Sequence, residues 1–293
     1  ESEKFYVQKV NIFGNNITRD DVIRGALFVD EGDAFNKLLH NKTINKLKSL
    51  NFFSNVFSEV IDSPIDNKKI INITVEEKPT GEIMAGAGIG TDGGTIAFGV
   101  KENNFLGRGI GFSSDLSIGA DTVKGLISLN NPNYKGSNRS LNLSIESTVT
   151  DRLSNFGYES NKTGFSVGSG YEVYDDLYFT KGISSYVEKL TTVSTASQSI
   201  KKQEGSYFDT FFNYTLNYDK RNQSYKATDG YISRFSQNIP LISDSYTLTN
   251  TYNYKVYSEW LGENITTFGF FLKTANSLGD KDVKLSDRLY VPS

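Results

Sequence analysis

The chain has 293 residues, enough for two domains with separate cores, and carries 31 basic against 34 acidic side chains for a net charge of −3. The charges are scattered rather than blocked, which excludes a nucleic-acid footprint, and the absence of Cys excludes disulfides and thiolate metal sites. No run of about 18 apolar residues exists to form a membrane-crossing helix, yet the sequence holds 17 Tyr, 20 Phe and 26 Gly with only 37% hydrophobic residues, a balance expected where lipid-facing and water-facing residues alternate.

No signal peptide opens the sequence at Glu1, so an exported protein is expected to be represented here by a mature excerpt. Residues Lys4 to Phe13 alternate, with Phe5, Val7, Val10 and Ile12 as apolar positions and one slip between Val7 and Val10, and end in the turn signal Gly14-Asn15-Asn16. Thr18 with Asp21 three residues on has the spacing of a capping box, predicting a helix that carries Val22, Ile23, Ala26 and Leu27 and stops before Glu31-Gly32-Asp33. A second helix is predicted from Asn36 to Leu50, with Leu38, Leu39, Ile44, Leu47 and Leu50 near helical spacing. Two strands follow, Val56 to Ile61 and Lys69 to Glu76, linked by Ser63-Pro64-Ile65-Asp66-Asn67. The order β-α-α-β-β fills residues 1–79 as a small α+β domain.

At Val75 to Gly94, VEEKPTGEIMAGAGIGTDGG, the mixed pattern gives way to alternating, Gly- and aromatic-rich strands that occupy residues 80–293. About eleven are predicted, each near the length that crosses a bilayer at a tilt. Leu141, Leu143, Ile145, Ser147 and Val149 alternate with Asn142, Ser144, Glu146, Thr148 and Thr150. Phe208, Thr210, Phe212, Tyr214 and Leu216 oppose Asp209, Phe211, Asn213 and Thr215, and in the last strand Phe268, Phe270 and Leu272 oppose Gly269, Phe271, Lys273 and Ala275. Strands of this kind span lipid only as a closed barrel, because every backbone N–H and C=O must be paired there. Eleven is an odd count for a single-chain barrel. The sequence, ending in Arg288-Leu289-Tyr290-Val291-Pro292-Ser293, is therefore expected to stop short of closure.

The chemistry-bearing residues point away from catalysis. Gly88-Ile89-Gly90-Thr91-Asp92-Gly93 matches GxGxxG, but the strand-like Thr95 to Val100 follows it where a dinucleotide site needs a helix. His40 is the sole histidine, which argues against a Ser-His-Asp or His-rich metal site and predicts no enzyme, no cofactor and no metal. Asp115, Glu146, Glu172 and Asp209, with Lys124, Arg234, Lys255 and Lys273, fall on the wet face of their strands and are read as mixed-sign lining of a lumen. The first strand is the unusual one: Ile83, Ala85, Ala87 and Ile89 form a weak, small apolar face, while Gly86, Gly88 and Gly90 fill the other. Interior glycine weakens a strand by about 0.5–1 kcal/mol relative to Ala. Two readings follow, a bend where backbones approach closely or an edge that opens to receive another strand.

The segments NIFGNNITRDDVIR, EGDAFN, INKLKSLNFFSNV and INITVEEKPTGE resemble successive parts of a POTRA domain. Glu102 to Gly109, ENNFLGRG, resembles the turn after the second strand of the BamA-like outer-membrane assembly factors. Asn131-Pro132-Asn133-Tyr134 resembles their turn after the fourth strand, and Tyr218-Asp219-Lys220-Arg221 with Thr228-Asp229-Gly230 the segment before their ninth. The resemblance implies the last POTRA domain before a sixteen-stranded transmembrane antiparallel β-barrel, incomplete at the C-terminus, with about five strands and a loop of Arg-Gly-Phe core lying downstream. It implies a bacterial outer-membrane location with the POTRA domain in the periplasm, and a role in assembling and inserting outer-membrane proteins. On that resemblance Ile83, Met84, Ala85, Gly86, Ala87, Gly88 and Ile89 form the edge that pairs with a strand of a nascent β-barrel protein, in contact with outer-membrane lipid. Arg24 and Glu31 form a docking surface for accessory lipoproteins such as BamD. A two-partner secretion pore or a TamA-like translocation factor shares the same fold and is the alternative; a passive porin or adhesin barrel would need no POTRA domain.

Overall fold

The computed structural model describes residues 4–90, 93–223, 226–244, 246–260, 264–280 and 282–289. They divide into two compact units, Glu1–Ile83 with Val100–Ser113, and Met84–Gly99 with Ser114–Ser293.

The first unit contains β1 (Tyr6–Phe13), α1 (Asp20–Arg24), α2 (Lys37–Ser49), β2 (Phe53–Asp62) and β3 (Lys68–Glu77), the expected β-α-α-β-β order. Its sheet runs β1-β3-β2, with β1 parallel and β2 antiparallel to the central β3. Alternate residues of β1 and β3 (Val7, Val10, Ile71, Ile73, Val75) meet Ile23 and Leu47 from the helices in one buried core. The sequence slip between Val7 and Val10 is a register shift between Val7 and Lys9, which keeps both valines on the buried face.

Two local expectations need correction. Thr18 does not cap α1: the N-cap position is Arg19, without a side-chain cap, and the helix has only five residues, so Ala26 and Leu27 lie beyond it. The Thr18 hydroxyl is taken by the Asn104 side-chain amide at 2.8 Å, and its N–H donates to Glu77 Oε1 at 2.6 Å. Tertiary partners have displaced the local cap. The second helix, which the sequence reading starts at Asn36, is capped there, Asn36 Oδ1 accepting from the N–H groups of Leu38 and Leu39. Its buried stripe, however, is His40, Thr43 and Leu47, while Leu38 is 74% exposed. A stripe with two polar members escapes a reading based on hydrophobic periodicity.

Beyond β3 the chain is an antiparallel meander, most of it in the second unit, with the ends of β4, β5 and β6 counted in the first. Its strands are β4 (Gly81–Gly90), β5 (Gly93–Phe105), β6 (Ile110–Gly119), β7 (Thr122–Asn131), β8 (Ser140–Arg152), β9 (Tyr158–Tyr174), β10 (Leu177–Thr192), β11 (Gly205–Asp219), β12 (Gly230–Ile242), β13 (Thr247–Trp260) and β14 (Asn264–Ser277). They form one eleven-stranded sheet in which every strand lies beside its sequence neighbours, with β4 and β14 outermost. Thr91 and Asp92 of the GxGxxG match lie outside the described residues, and a strand rather than a helix follows them.

The two faces of the sheet differ as the alternation predicts. On the outer face Ile127, Ile145 and Phe165 lie opposite one another on β7, β8 and β9, and all are exposed. The inner face buries Ser184, Glu188, Asp209 and Thr247. The outer face also carries an aromatic row: Tyr171–Phe179, Phe179–Tyr214 and Tyr214–Phe235 have ring centroids 5.9, 6.4 and 6.0 Å apart. Phe235 pairs in register with Tyr252, whose ring lies 6.2 Å from that of Phe270. Six strands, β9 to β14, thereby share one aromatic girdle of the kind found where a barrel meets the membrane–water interface. Among the described residues no helix is long and apolar enough to cross a membrane.

In the first unit, burial holds the pKa of His40 below its ordinary 6.5, its ring lying 3.1 Å from Ser58 Oγ and beside Phe35. A depressed histidine contributes stability that is complete above its unfolded value and is lost as pH falls toward and through the folded one. The thermal transition of this unit is expected to drop on acidification from pH 7.5 to 5, and His40→Gln should flatten that dependence. An equal pH dependence in the variant would assign the effect to other groups.

Candidate strand-pairing edge

Among the described residues β4 has a single strand neighbour, β5. Residues 81–89 are all exposed, Ile83 at 87% and Ile89 at 94%. An extended strand presents alternate N–H and C=O groups on each side, so one whole row of β4 main-chain groups faces no strand. Among the described residues neither Gly86 nor Gly88 is required by a close backbone approach, since a Cβ at either position would meet nothing within 4 Å. A Cβ at Gly99, by contrast, would stand 2.8 Å from Asp115 Oδ1 and 3.1 Å from Met84 Cε, which places Met84, Gly99 and Asp115 on one face. That face opens into a cavity of about 390 Å³ lined by Met84, Gly86, Gly99, Asp115, Lys124 and Leu126. The other outermost strand, β14, has a different character, with Phe268, Phe270, Phe271 and Leu272 all exposed.

The outer edge of β1 in the first unit shows how an edge is sealed. The loop 31–35 runs beside it: Val7 N–H donates to Asp33 O, Gly32 N–H to Val7 O and Phe35 N–H to Phe5 O, each at 2.8 Å. At Val10 side chains take over. Glu31 Oε1 accepts the Val10 N–H at 3.1 Å and Arg24 Nη2 donates to the Val10 carbonyl at 3.1 Å. Arg24 also pairs with Asp20 at 2.6 Å and with Glu31 at 3.6 Å. Its pKa is raised above the ordinary arginine value, chiefly by the Asp20 hydrogen bond. The structure thus brings Arg24 and Glu31 together and gives both a role in closing β1.

A second constellation was hidden from sequence reasoning although its motif was visible. Glu77, at the end of β3, gathers the N–H groups of Asn16, Ile17 and Thr18 at 2.9, 2.8 and 2.6 Å. Onto that same loop folds the β5–β6 turn, within the same compact unit: Asn104 binds Thr18, and the Gly107 carbonyl accepts the Arg19 N–H at 2.8 Å. Gly107 has φ +67°, and a Cβ there would run into the Ile17 carbonyl. The turn motif is therefore a docking element. Burial alone would raise the Glu77 pKa, but the hydrogen bonds from Thr18, Ile17 and Asn16 outweigh it and the net shift is downward.

The remaining charged residues do not converge on a reactive centre. Lys124 and Glu146 pair at 3.5 Å, Arg234 Nε donates to Asn217, and Glu172 accepts the Asp176 N–H in the β9–β10 turn. Lys255 and Lys273 are exposed. Asp209 is buried against two residues that the sequence did not single out, Glu188 and Lys284. Among the described residues no group of three or more His, Cys, Asp or Glu could hold a metal ion.

Comparison with known families decides the affiliation. Residues 104–291 match the Omp85 superfamily domain, and residues 5–78 match the POTRA family described as surface antigen variable number repeat. The chain belongs to the Omp85 superfamily. It is similar to the outer membrane protein assembly factor BamA of Neorickettsia risticii, at 25% identity over 80% of this chain and 32% of that protein. It is also similar to BamA of Neisseria meningitidis serogroup B, at 28% identity over 50% of this chain and 19% of that protein. Its fold matches the crystal structure of Haemophilus ducreyi BamA lacking POTRA domains 1–3, with a TM-score of 0.82 and 22% identity, covering 96% of this chain and 57% of that one. CdiB from Acinetobacter baumannii shares the fold at a TM-score of 0.56 and 9% identity, covering 99% and 54%. The chain thus spans a third or less of the length of these two BamA relatives. The sheet of this Omp85 chain is that of a BamA-like barrel, unclosed among the described residues and preceded by a POTRA domain.

The docking element yields a direct check. Glu77→Gln should loosen residues 16–18 by about 1 kcal/mol, the net worth of a hydrogen-bonding group at a partly exposed site. Gly107→Ala should cost more, because strain and collision add. Hydrogen exchange of the protein in detergent is expected to show faster exchange at residues 16–19 in both variants; unchanged protection there would remove Glu77 and Gly107 from this role.

Proposed function

We propose that this Omp85 chain is part of a BamA-like factor that assembles and inserts outer-membrane proteins, residues 1–79 being its last POTRA domain, in the periplasm, and residues 80–293 the first eleven strands of its barrel in the outer membrane. The names of the similar proteins support this reading, and the observation that carries it is the glycine-weakened β4, where a Cβ at Gly86 or Gly88 would meet nothing within 4 Å among the described residues. A nascent barrel protein approaching the membrane offers a strand whose polar backbone groups are costly to bury in hydrocarbon, several kcal/mol for each one left unpaired. Pairing with β4 satisfies them before they meet lipid. Glycines 86 and 88 keep the edge weakly paired, and the small side chains of Ala85 and Ala87 lower the apolar face beside lipid, where mismatch thins the bilayer and eases insertion. The work is mechanical and requires no catalytic group or cofactor; the partners are nascent outer-membrane β-barrel proteins and outer-membrane lipid.

The fold shared with CdiB favours one second reading, a two-partner secretion pore; a TamA-like translocation factor is the related alternative. Assembly and conduction separate them. In the full-length protein, Gly86→Val with Gly88→Val should still fold, because neither glycine has a positive φ and a Cβ at either meets nothing within 4 Å among the described residues. Removing two glycines at about 0.5–1 kcal/mol each stiffens the edge, so assembly of an outer-membrane substrate in proteoliposomes should slow about tenfold. An unchanged assembly rate in a folded double variant would contradict the role given to β4.

We also propose that the Arg24–Glu31 surface receives an accessory lipoprotein such as BamD. Exposed polar groups on a loop held by a rigid scaffold suit such a contact. Glu31→Ala should release Arg24 from one partner and weaken lipoprotein capture by the full-length protein at least severalfold, with the barrel still folded; capture at the original level would move the docking surface elsewhere.

A further inference from the structure

Among the described residues the most deeply buried charges lie on the inner face of the second unit. Glu188 on β10 and Asp209 on β11 are 0% and 1% exposed, and between them sits Lys284, 3% exposed, seven residues beyond the end of β14. Lys284 Nζ stands 2.8 Å from Glu188 Oε2 and 2.6 Å from Asp209 Oδ2. The outer oxygens of the carboxylates are held in turn, Ser160 donating to Glu188 at 2.7 Å and Ser243 to Asp209 at 2.6 Å. The ammonium also lies 4.9 Å from the centroid of the Tyr207 ring. Beside it Leu285 packs on Tyr158 and Leu190, and its N–H donates to Gln203 Oε1 at 2.9 Å. Four separate stretches of chain, at 158–160, 188–190, 203–209 and 243, gather around these two residues.

The register gives this cluster its meaning. Glu188 lies opposite Tyr207 and Tyr186 opposite Asp209, so the two carboxylates are diagonal neighbours on adjacent strands of one face. Without Lys284 the wall would hold like charges side by side in a buried place, an unfavourable arrangement. Lys162 on β9 also acts on both carboxylates from the wall itself, and Lys284 adds the cation that touches them, carried in by a distant segment together with Asp287. From β14 to β10 is four strand spacings, about 19 Å at about 4.8 Å each. The seven residues from Ser277 to Lys284 reach about 24 Å when extended, so the segment has little slack. A buried ion pair contributes little net stability and is better suited to fixing a register.

We propose that Lys284 is a charge-keyed latch: it pins residues 282–289 as a strap across the inner wall at β9–β11, and losing charge balance at this one point frees the strap from the lumen. The latch is independent of the assembly reading. Removing either side of the pair leaves an uncompensated buried charge and expels the strap; neutralising both sides together removes the penalty and lets the strap keep its seat through its main chain, as where the residue 285 N–H donates to Gln203.

The absence of Cys from this sequence makes the test simple. In the full-length protein, with any native cysteine elsewhere replaced, Leu285→Cys places a thiol at a buried position. Its rate of maleimide labelling is read in detergent, with the gel shift of the unheated barrel reporting folding. Labelling should be slow with Lys284 present and at least tenfold faster in Lys284→Met and in Glu188→Gln with Asp209→Asn. It should be slow again when all three substitutions are combined. If Lys284→Met does not fold, the Glu188/Asp209 double variant decides. Slow labelling in a folded half-neutralised variant would overturn the latch, as would fast labelling in the triple variant, which would assign the strap's seat to the packing of the lysine stem.

Discussion

A backbone N–H or C=O has no water to turn to inside a membrane, and the second unit is arranged around that constraint. Eleven strands each pair with their neighbours in sequence, so interior strands satisfy both rows of main-chain groups through short connections. The cost is confined to the two outermost strands. In β1 of the first unit the same problem is solved locally, by the loop 31–35 and by Arg24 and Glu31 at Val10. At β4 no such cover exists among the described residues, and the side chains that would make another strand cling tightly are missing too. The β1 edge is sealed by its own loop and side chains, while in β4 the glycines at 86 and 88 leave little side-chain surface to hold a neighbour; that difference directs attention to β4.

Long-range contacts settle what local chemistry leaves open. Thr18 has the spacing of a helix cap but serves Asn104 and Glu77, because three backbone N–H groups and a docked turn give more than one capping bond. Glu77 and the β5–β6 turn fasten the same loop from two sides within the first unit. On the inner wall of the second unit, Lys284 closes a charge arrangement between β10 and β11 that neither strand could balance alone.

Those same contacts mark the limit of what the sequence discloses. Strand existence was legible because period-two alternation reports directly on two unlike environments, as at Leu143, Ile145 and Glu146. The POTRA order was legible from Asn36, from the apolar runs and from the turn signals. The polar stripe of α2 was not, since His40 and Thr43 are buried by neighbours distant in sequence, and neither was the partner of Asp209. The aromatic girdle was present only as composition, because Tyr171, Phe235 and Phe270 become neighbours once the strands are in register. For the edge, the glycines were visible and the open space around them was not. Pairwise geometry between distant residues carries all of these, and a single sequence does not record it.

The central claim is that the β4 main chain receives another strand, and cross-linking tests it most directly. In the full-length protein, single cysteines at each position from Ile83 to Ile89 would be paired with one cysteine in the last strand of a stalled outer-membrane substrate, and disulfide yield measured position by position. The account requires high yield at alternate positions in a single register, since neighbouring side chains on a strand point to opposite faces. A barrel that folds and conducts ions but gives no cross-link at any of the seven positions would contradict it and leave the secretion-pore reading in its place.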